Sequence, residues 1–275
     1  MEASPTRGKG VQAVDHPRFE IRDGSGPRRL VATAIHAGHD LRREVEREIA
    51  LTASARLREE DPYTDRIIEP AGLRVVANRS RFEVDLNRGR DDAVYGDTDD
   101  TWGLHVWKRP LPSAVIQRSL EIYDEFYARL AALLDRLADD GPFVVLDVHS
   151  YNHRRQGPRA PAAPARENPD VNVGTGTLAR DRWAPVVDTL IDTLDGTEVA
   201  GQPLDVRENV RFTGANLTRW VHERYPETGC ALALEFKKTF MDEWTGDVDP
   251  GRLRDLTNAV EDALHAVVEV IDDER

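Results

Sequence analysis

The sequence predicts an α/β fold: a single domain on a mixed, mostly parallel sheet with helices on both faces. Three observations carry this. Short, nearly pure apolar and β-branched runs stand at residues 30–35 (LVATAI), 143–148 (FVVLDV) and 230–236 (CALALEF), the pattern of strands buried on both faces. Between them lie stretches in which apolar residues recur at helical spacing. The 275 residues contain no internal repeat and no linker that splits them, so strands and helices alternate within one unit.

Taken in order, residues 1–26 are polar with scattered Gly and Pro and read as an N-terminal arm or edge element, and residues 27–275 as the domain. The 30–35 strand ends at His36-Ala37-Gly38-His39, and Asp40 can cap a helix over 41–58 whose apolar side is Leu41, Val45, Ile49, Leu51 and Ala55. Residues 73–77 and 81–86 read as two short strands, the second ending in Asp85-Leu86-Asn87-Arg88. Residues 89–112 form a long loop carrying Trp102, His105 and Trp107, of the kind that often walls a site. The strongest helix is 113–137, stopped by Asp139-Asp140-Gly141-Pro142. After the 143–148 strand comes an irregular stretch, 150–177, with four prolines between Pro158 and Pro169. Residues 181–194 are helical, 210–212 read as a short strand, 217–225 as a short helix, and 253–271 as a closing amphipathic helix.

Composition excludes several classes. With 37 basic against 50 acidic residues the net charge is -13, and Lys9, Lys108, Lys237 and Lys238 are the only lysines, so a generic nucleic-acid coat, which needs a clustered basic face, is disfavoured. No apolar run approaches the ~20 residues of a membrane span. The first ten residues show no apolar run with a cleavage site, which makes a cytoplasmic location the expectation. One cysteine, Cys230, allows neither an internal disulfide nor a multi-thiolate zinc site, so any metal must be held by His and carboxylate. An acidic exterior also repels anions at long range, so a site for an acidic substrate needs arginines of its own.

In open α/β sheets the ligand site lies beyond the carboxyl ends of the strands, and three strand ends here carry metal-type residues: His36 and His39 after the first, Asp147 and His149 on the second, Glu235 on the third. A catalytic zinc takes about three protein ligands and leaves a position for water, with a nearby carboxylate as general base. The bland alternatives are that each histidine is a hydrogen-bonded loop residue and that Glu235 forms a plain salt bridge with Lys237 or Lys238. Of the arginines Arg79, Arg81, Arg88, Arg211 and Arg219, only Arg88 and Arg219 have a positional case as carboxylate forks.

Six segments, AIHAGHD, SRFEVDLNR, LDVHS, NPDVNVGTG, RFTGANLTRW and ALALEFKKTFMDE, together resemble the N-formylglutamate amidohydrolase family. AIHAGHD is similar to its PHSG element, SRFEVDLNR to SRYVVDLNR, LDVHS to DAHS, NPDVNVGTG to its LPDLNLGT loop, and RFTGANLTRW with ALALEFKKTFMDE to FKGGYITR and ALQLELAQRLYMDE. The matches run in the family's order over residues 30–243. The resemblance implies a zinc-dependent amidohydrolase of the phosphorylase/hydrolase-like α/β fold, related to zinc carboxypeptidases and aspartoacylase-type deacylases, acting on a small-molecule N-acyl amino acid. It implies that His36 and His149 are metal ligands, Glu235 the general base, Asn87 and Arg88 the substrate-carboxylate site, and Arg219 a second carboxylate clamp. The third ligand is open: His39 fits a His-x-x-Glu spacing, while Asp61 in EEDPYTD resembles the family's DTDWHVD, with Glu60 beside it. The segment 152–168 (NHRRQGPRAPAAPAREN) departs from the family's shorter substrate-facing loop. A peptide-like or poly-γ-glutamyl substrate in a groove walled by Trp102 and Trp107 is the second enzyme reading, and a non-catalytic binding module the third.

Overall fold

The computed structural model describes residues 17–96 and 101–273. In chain order these residues form β1 (Phe19–Asp23), β2 (Leu30–Ala34), α1 (Arg43–Glu48), α2 (Ala53–Glu59), α3 (Thr64–Ile67), β3 (Leu73–Ala77), α4 (Ser113–Asp140), β4 (Phe143–Tyr151) and β5 (Val171–Gly174). Then come α5 (Ala184–Leu194), the two-residue strands β6 (Glu198–Val199) and β7 (Gln202–Pro203), β8 (Val206–Glu208), α6 (Asn216–Arg224), β9 (Gly229–Lys237) and α7 (Pro250–Asp273). Seven strands make one sheet in the order β1-β3-β2-β4-β9-β5-β8. The β3-β2, β2-β4, β4-β9 and β5-β8 pairs are parallel, whereas β1-β3 and β9-β5 are antiparallel. The expected mixed, mostly parallel sheet with helices on both faces is therefore the one observed.

Strand periodicity explains the two cores. Leu30, Ala32 and Ala34, Val144, Leu146 and Val148, and Leu232 and Leu234 point to one face, where they pack with Val186 and Leu190 of α5 and Val260 and Leu264 of α7. Val31, Phe143, Val145 and Ala231 point to the other, against Phe126 and Leu130 of α4 and Leu217 and Val221 of α6. With both faces covered, β2 and β4 are buried along their whole length. Along that second face the pattern turns polar at the strand ends: Thr33, Asp147, His149 and Glu235 continue it.

Four local expectations are corrected. The 41–58 helix is two short helices, because Ile49 pairs with Trp107 and Ala50 N–H donates to Val106 O (2.7 Å), drawing the chain out between them. Thr52 Oγ1 then caps α2 by accepting from Ala55 N–H at 3.1 Å. Residues 81–86 are turns rather than a strand, since the buried Glu83 and Asp85 are bound to Arg42 and Arg81 instead of facing solvent. The irregular stretch contains β5, and the short strand expected at 210–212 lies upstream as β8. Of the arm read over 1–26, the first sixteen residues lie outside the described residues, and β1 pairs along the edge of the sheet. Cys230 is buried in the core. Among the described residues no helix is long and apolar enough to cross a membrane.

Candidate metal centre

Three adjacent parallel strands deliver the site. His36 stands two residues beyond β2, and His149 on β4 lies in register with Glu235 on β9, so ligand-type and base-type side chains emerge side by side. Asp61 comes from the turn after α2 and is docked by its own backbone, whose N–H donates to His36 O at 2.9 Å. Behind that turn the buried Lys238 ammonium donates to the carbonyls of Arg58 and Glu60, both at 2.6 Å. This pins the end of α2 and with it Asp61.

The two imidazoles stand with ring centroids 4.8 Å apart, and their Nδ1 atoms converge on one carboxylate oxygen, Asp61 Oδ2, at 3.4 Å for His36 and 3.0 Å for His149. Their opposite nitrogens face carboxylates: His36 Nε2 is 2.8 Å from Asp85 Oδ1, and His149 Nε2 is 2.9 Å from Asp147 Oδ2. Each carboxylate is fixed in turn, Asp85 by Arg81 (2.7 Å) and the Tyr95 hydroxyl, Asp147 by the Thr33 hydroxyl (2.6 Å). The carboxylate hydrogen-bonded to Nε2 of His36 sets the tautomer that leaves its Nδ1 as a lone-pair donor, the arrangement common around metal-bound histidines. The His36, Asp61 and His149 ligand atoms lie within 4.8 Å of one another, all buried. His36 Nδ1 has no hydrogen-bond partner among the described residues although buried, which is costly unless its lone pair is used. His36, Asp61 and His149 therefore fit a divalent metal.

The electrostatics follow from burial against pairing. Burial alone would raise the Asp61 carboxyl, but the His149 hydrogen bond and the close approach and charges of His149 and His36 outweigh it and hold it far below the usual carboxylate range. Burial opposes charge on His149 too and is overcome by Asp147 and Asp61, which push its pKa well up. Glu235 behaves oppositely: burial, reinforced by Asp61 and Asp147, lifts its pKa to about 7 against the opposing effect of His149. It lines a cavity of about 620 Å³ together with His36, Asp61, His149, Asn87 and Arg88. A carboxyl titrating near neutrality beside a metal-type cluster has the properties of a general base.

The family model for N-formylglutamate amidohydrolase matches residues 28–241, most of the chain. The chain belongs to the N-formylglutamate amidohydrolase family. Its fold is similar to that of an N-formylglutamate amidohydrolase from Ralstonia eutropha JMP134, at 19% identity over 94% of this chain and 99% of that one, with a TM-score of 0.71. It is also similar to a gene product of Agrobacterium tumefaciens, at 13% identity over 94% and 97% of the two chains, with a TM-score of 0.67. No curated protein is significantly similar in sequence. The chain is thus an N-formylglutamate amidohydrolase-family hydrolase with a His36–Asp61–His149 candidate metal site.

Within this family frame, His36, His149, Glu235, Asn87 and Arg88 meet in one cavity, and Asp61 joins them. Asn87 Oδ1 accepts from Leu217 N–H (3.0 Å), which turns its Nδ2 to within 3.1 Å of His149 Nε2. The Arg88 guanidinium lies 4.8 Å over the Tyr95 ring. His39 is elsewhere: it bonds Glu60 (2.5 Å) and lies 3.2 Å from Arg56 Nη2, so both ring nitrogens are occupied, and it lines a separate surface hollow. Glu60 is likewise engaged by His39, Ser80 and Arg56. Arg219 is exposed on α6 and absent from the cavity lining, because the inward face of that helix is Leu217, Thr218 and Val221. Trp102 lines the cavity, but Trp107 does not; its indole N–H is tied to Tyr95 O (2.6 Å). Neither lysine pairs with Glu235: Lys237 bonds Asp170 (2.7 Å) and Lys238 the carbonyls above. Sequence reasoning missed Asp85 and Asp147 as histidine supports, although Asp147 sits two residues before His149 on the same strand face, and it passed over Arg81 and Arg211, which line the cavity.

Proposed function

We propose that the protein is a zinc-dependent amidohydrolase that cleaves an N-acyl acidic amino acid, with N-formyl-L-glutamate the first choice, to the free amino acid and formate. The observation that supports this best is Glu235, a carboxyl lifted to about 7 and set beside the buried His36–Asp61–His149 cluster in a family of hydrolases. A zinc ion bound by that cluster would supply Lewis acidity, polarising the substrate carbonyl and acidifying water near neutral pH. Glu235 takes the proton of the attacking water as its oxygen bonds the acyl carbon, then delivers that proton to the nitrogen as the C–N bond breaks. Asn87 and Arg88, adjacent in the chain and both lining the cavity, bind the substrate carboxylate, the arginine as a planar fork. A cytoplasmic location and a small-molecule substrate belong to the same reading.

The test is formate release from N-formyl-L-glutamate by metal-loaded protein, in moderate and high salt, with a chelated sample alongside. Release that chelation abolishes is the expected outcome. No release from protein carrying a bound metal would overturn this substrate. A longer, peptide-like or γ-glutamyl substrate is the second reading, favoured by one observation: a further cavity of about 380 Å³, lined by Pro161, Ala162, Ala163 and Pro164, shares Asn152, Arg155 and Arg211 with the first. Cleavage of short γ-glutamyl peptides in preference to free N-acyl-glutamate would select it.

A further inference from the structure

The cavity is lined by four arginines, and they differ in how their charge is met. Arg81 is bound to Asp85 (2.7 Å), Arg155 to Glu59 (3.1 Å), and Arg88 has Asp85 within 3.9 Å. Arg211 has no carboxylate within ion-pair distance among the described residues, on a chain where acids outnumber bases 50 to 37.

Arg211 is nonetheless held in place. Its Nη1 donates to Asn168 Oδ1 at 2.7 Å, and the Asn168 amide is oriented by donating its own Nδ2–H to Pro164 O at 2.9 Å. The guanidinium lies 5.1 Å from the Tyr151 ring and 5.3 Å from the Phe212 ring. Its backbone is clipped by Asn172, a fully buried side chain whose Oδ1 accepts from Arg211 N–H (2.8 Å) and Phe212 N–H (3.3 Å), while its Nδ2 donates to Phe212 O (2.8 Å). Asn172 on β5 is the register partner of Glu235 on β9, so this clip ties Arg211 to the strand beside the base. Arg211 is exposed to solvent, and this scaffolding fixes its orientation at the cavity wall. In sheet order, Arg88 follows β3 on one side of the β2–β4–β9 centre, and Arg211 follows β8 on the other.

We propose that Arg211 is a specificity-determining residue that receives a second carboxylate of the substrate, the side-chain carboxylate of an acidic N-acyl amino acid. The assignment rests on the amidohydrolase reading above for the identity of the substrate, but the dicarboxylate preference it creates is measurable without turnover. Two cations on opposite sides of the reacting centre fix a dianion by its ends and leave the amide between them. Arg211 donates a forked pair of N–H groups to the incoming carboxylate, while Asn168 keeps the remaining edge aligned.

The experiment is an equilibrium titration of metal-loaded protein with glutarate and with its monoamide, glutaramate, which keeps one carboxylate and replaces the other by a neutral amide. Wild type is expected to bind glutarate about tenfold or more tightly than glutaramate. Arg211→Gln is expected to bring that ratio close to one, Arg211→Lys to recover part of it, and Arg219→Gln, outside the cavity, to leave it as in wild type. Metal content and melting temperature of each variant show that it is folded. No glutarate preference in wild type, or one that survives in Arg211→Gln, overturns the proposal. A wild-type preference lost in Arg211→Gln without any formate release would support the Arg211 assignment while overturning the deformylase reading.

Discussion

On the β2–β4–β9 side of the cavity nearly every charged group is answered from within the chain. His36 is backed by Asp85 and His149 by Asp147, and both converge on Asp61. On the β5 side, Arg211 is scaffolded by amides and aromatic rings and left without a carboxylate among the described residues. The first side has the construction of a preorganised reaction centre, in which dipoles and charges are fixed before the substrate arrives. The second has the construction of a receptor whose counter-charge comes with the ligand. Family membership speaks to the first side, whereas the proposed substrate preference rests on the second.

Two substitutions on the first side sharpen this contrast. Glu235→Gln keeps the shape of the side chain and removes the base; kcat should fall by ~10²–10⁴ with metal content unchanged. The acid limb of the pH profile should disappear with it. In wild type, Glu235 is protonated and inactive as a base below its pKa, so kcat/KM falls as pH drops through that value; a bound cation favours the carboxylate and moves the limb below about 7. Near-normal turnover by Glu235→Gln with metal bound would remove the base assignment. A smaller effect is expected from Asp85→Asn, which leaves all three ligands in place but weakens the support behind His36: metal affinity should drop ~10–100-fold, read by competition with a chelator. An unchanged affinity would mean that Asp85 serves Arg81 and Tyr95 alone.

How much was legible in the sequence follows the same division. His36, His149 and Glu235 stand at the ends of continuous apolar strands, so a one-dimensional pattern placed them in three dimensions. Asp61 and His39 could not be separated that way. Asp61 reaches the centre through a single backbone hydrogen bond to His36 and the Lys238 anchor behind it, neither of which has a periodic signature. His39, only three residues from His36, is carried out of the cavity and satisfied by Glu60 and Arg56. Arg219 was within reach of sequence reasoning: once Leu217, Thr218 and Val221 define the buried face of α6, position 219 must point outward. Arg211 was not, because its placement depends on Asn168 and Asn172, roughly forty residues away in the chain. The split of the 41–58 helix has the same cause, a long-range pairing with the 106–108 segment that overrides local helical spacing.

The central claim is that His36, Asp61 and His149, with His39 excluded, hold the metal. A zinc titration of metal-depleted protein tests it most directly, with Asp61→Ala and His39→Ala run beside wild type and folding checked by melting temperature. The account predicts one equivalent bound by wild type and by His39→Ala, and loss of that tight site in Asp61→Ala. Tight zinc binding retained by Asp61→Ala but lost in His39→Ala would contradict it.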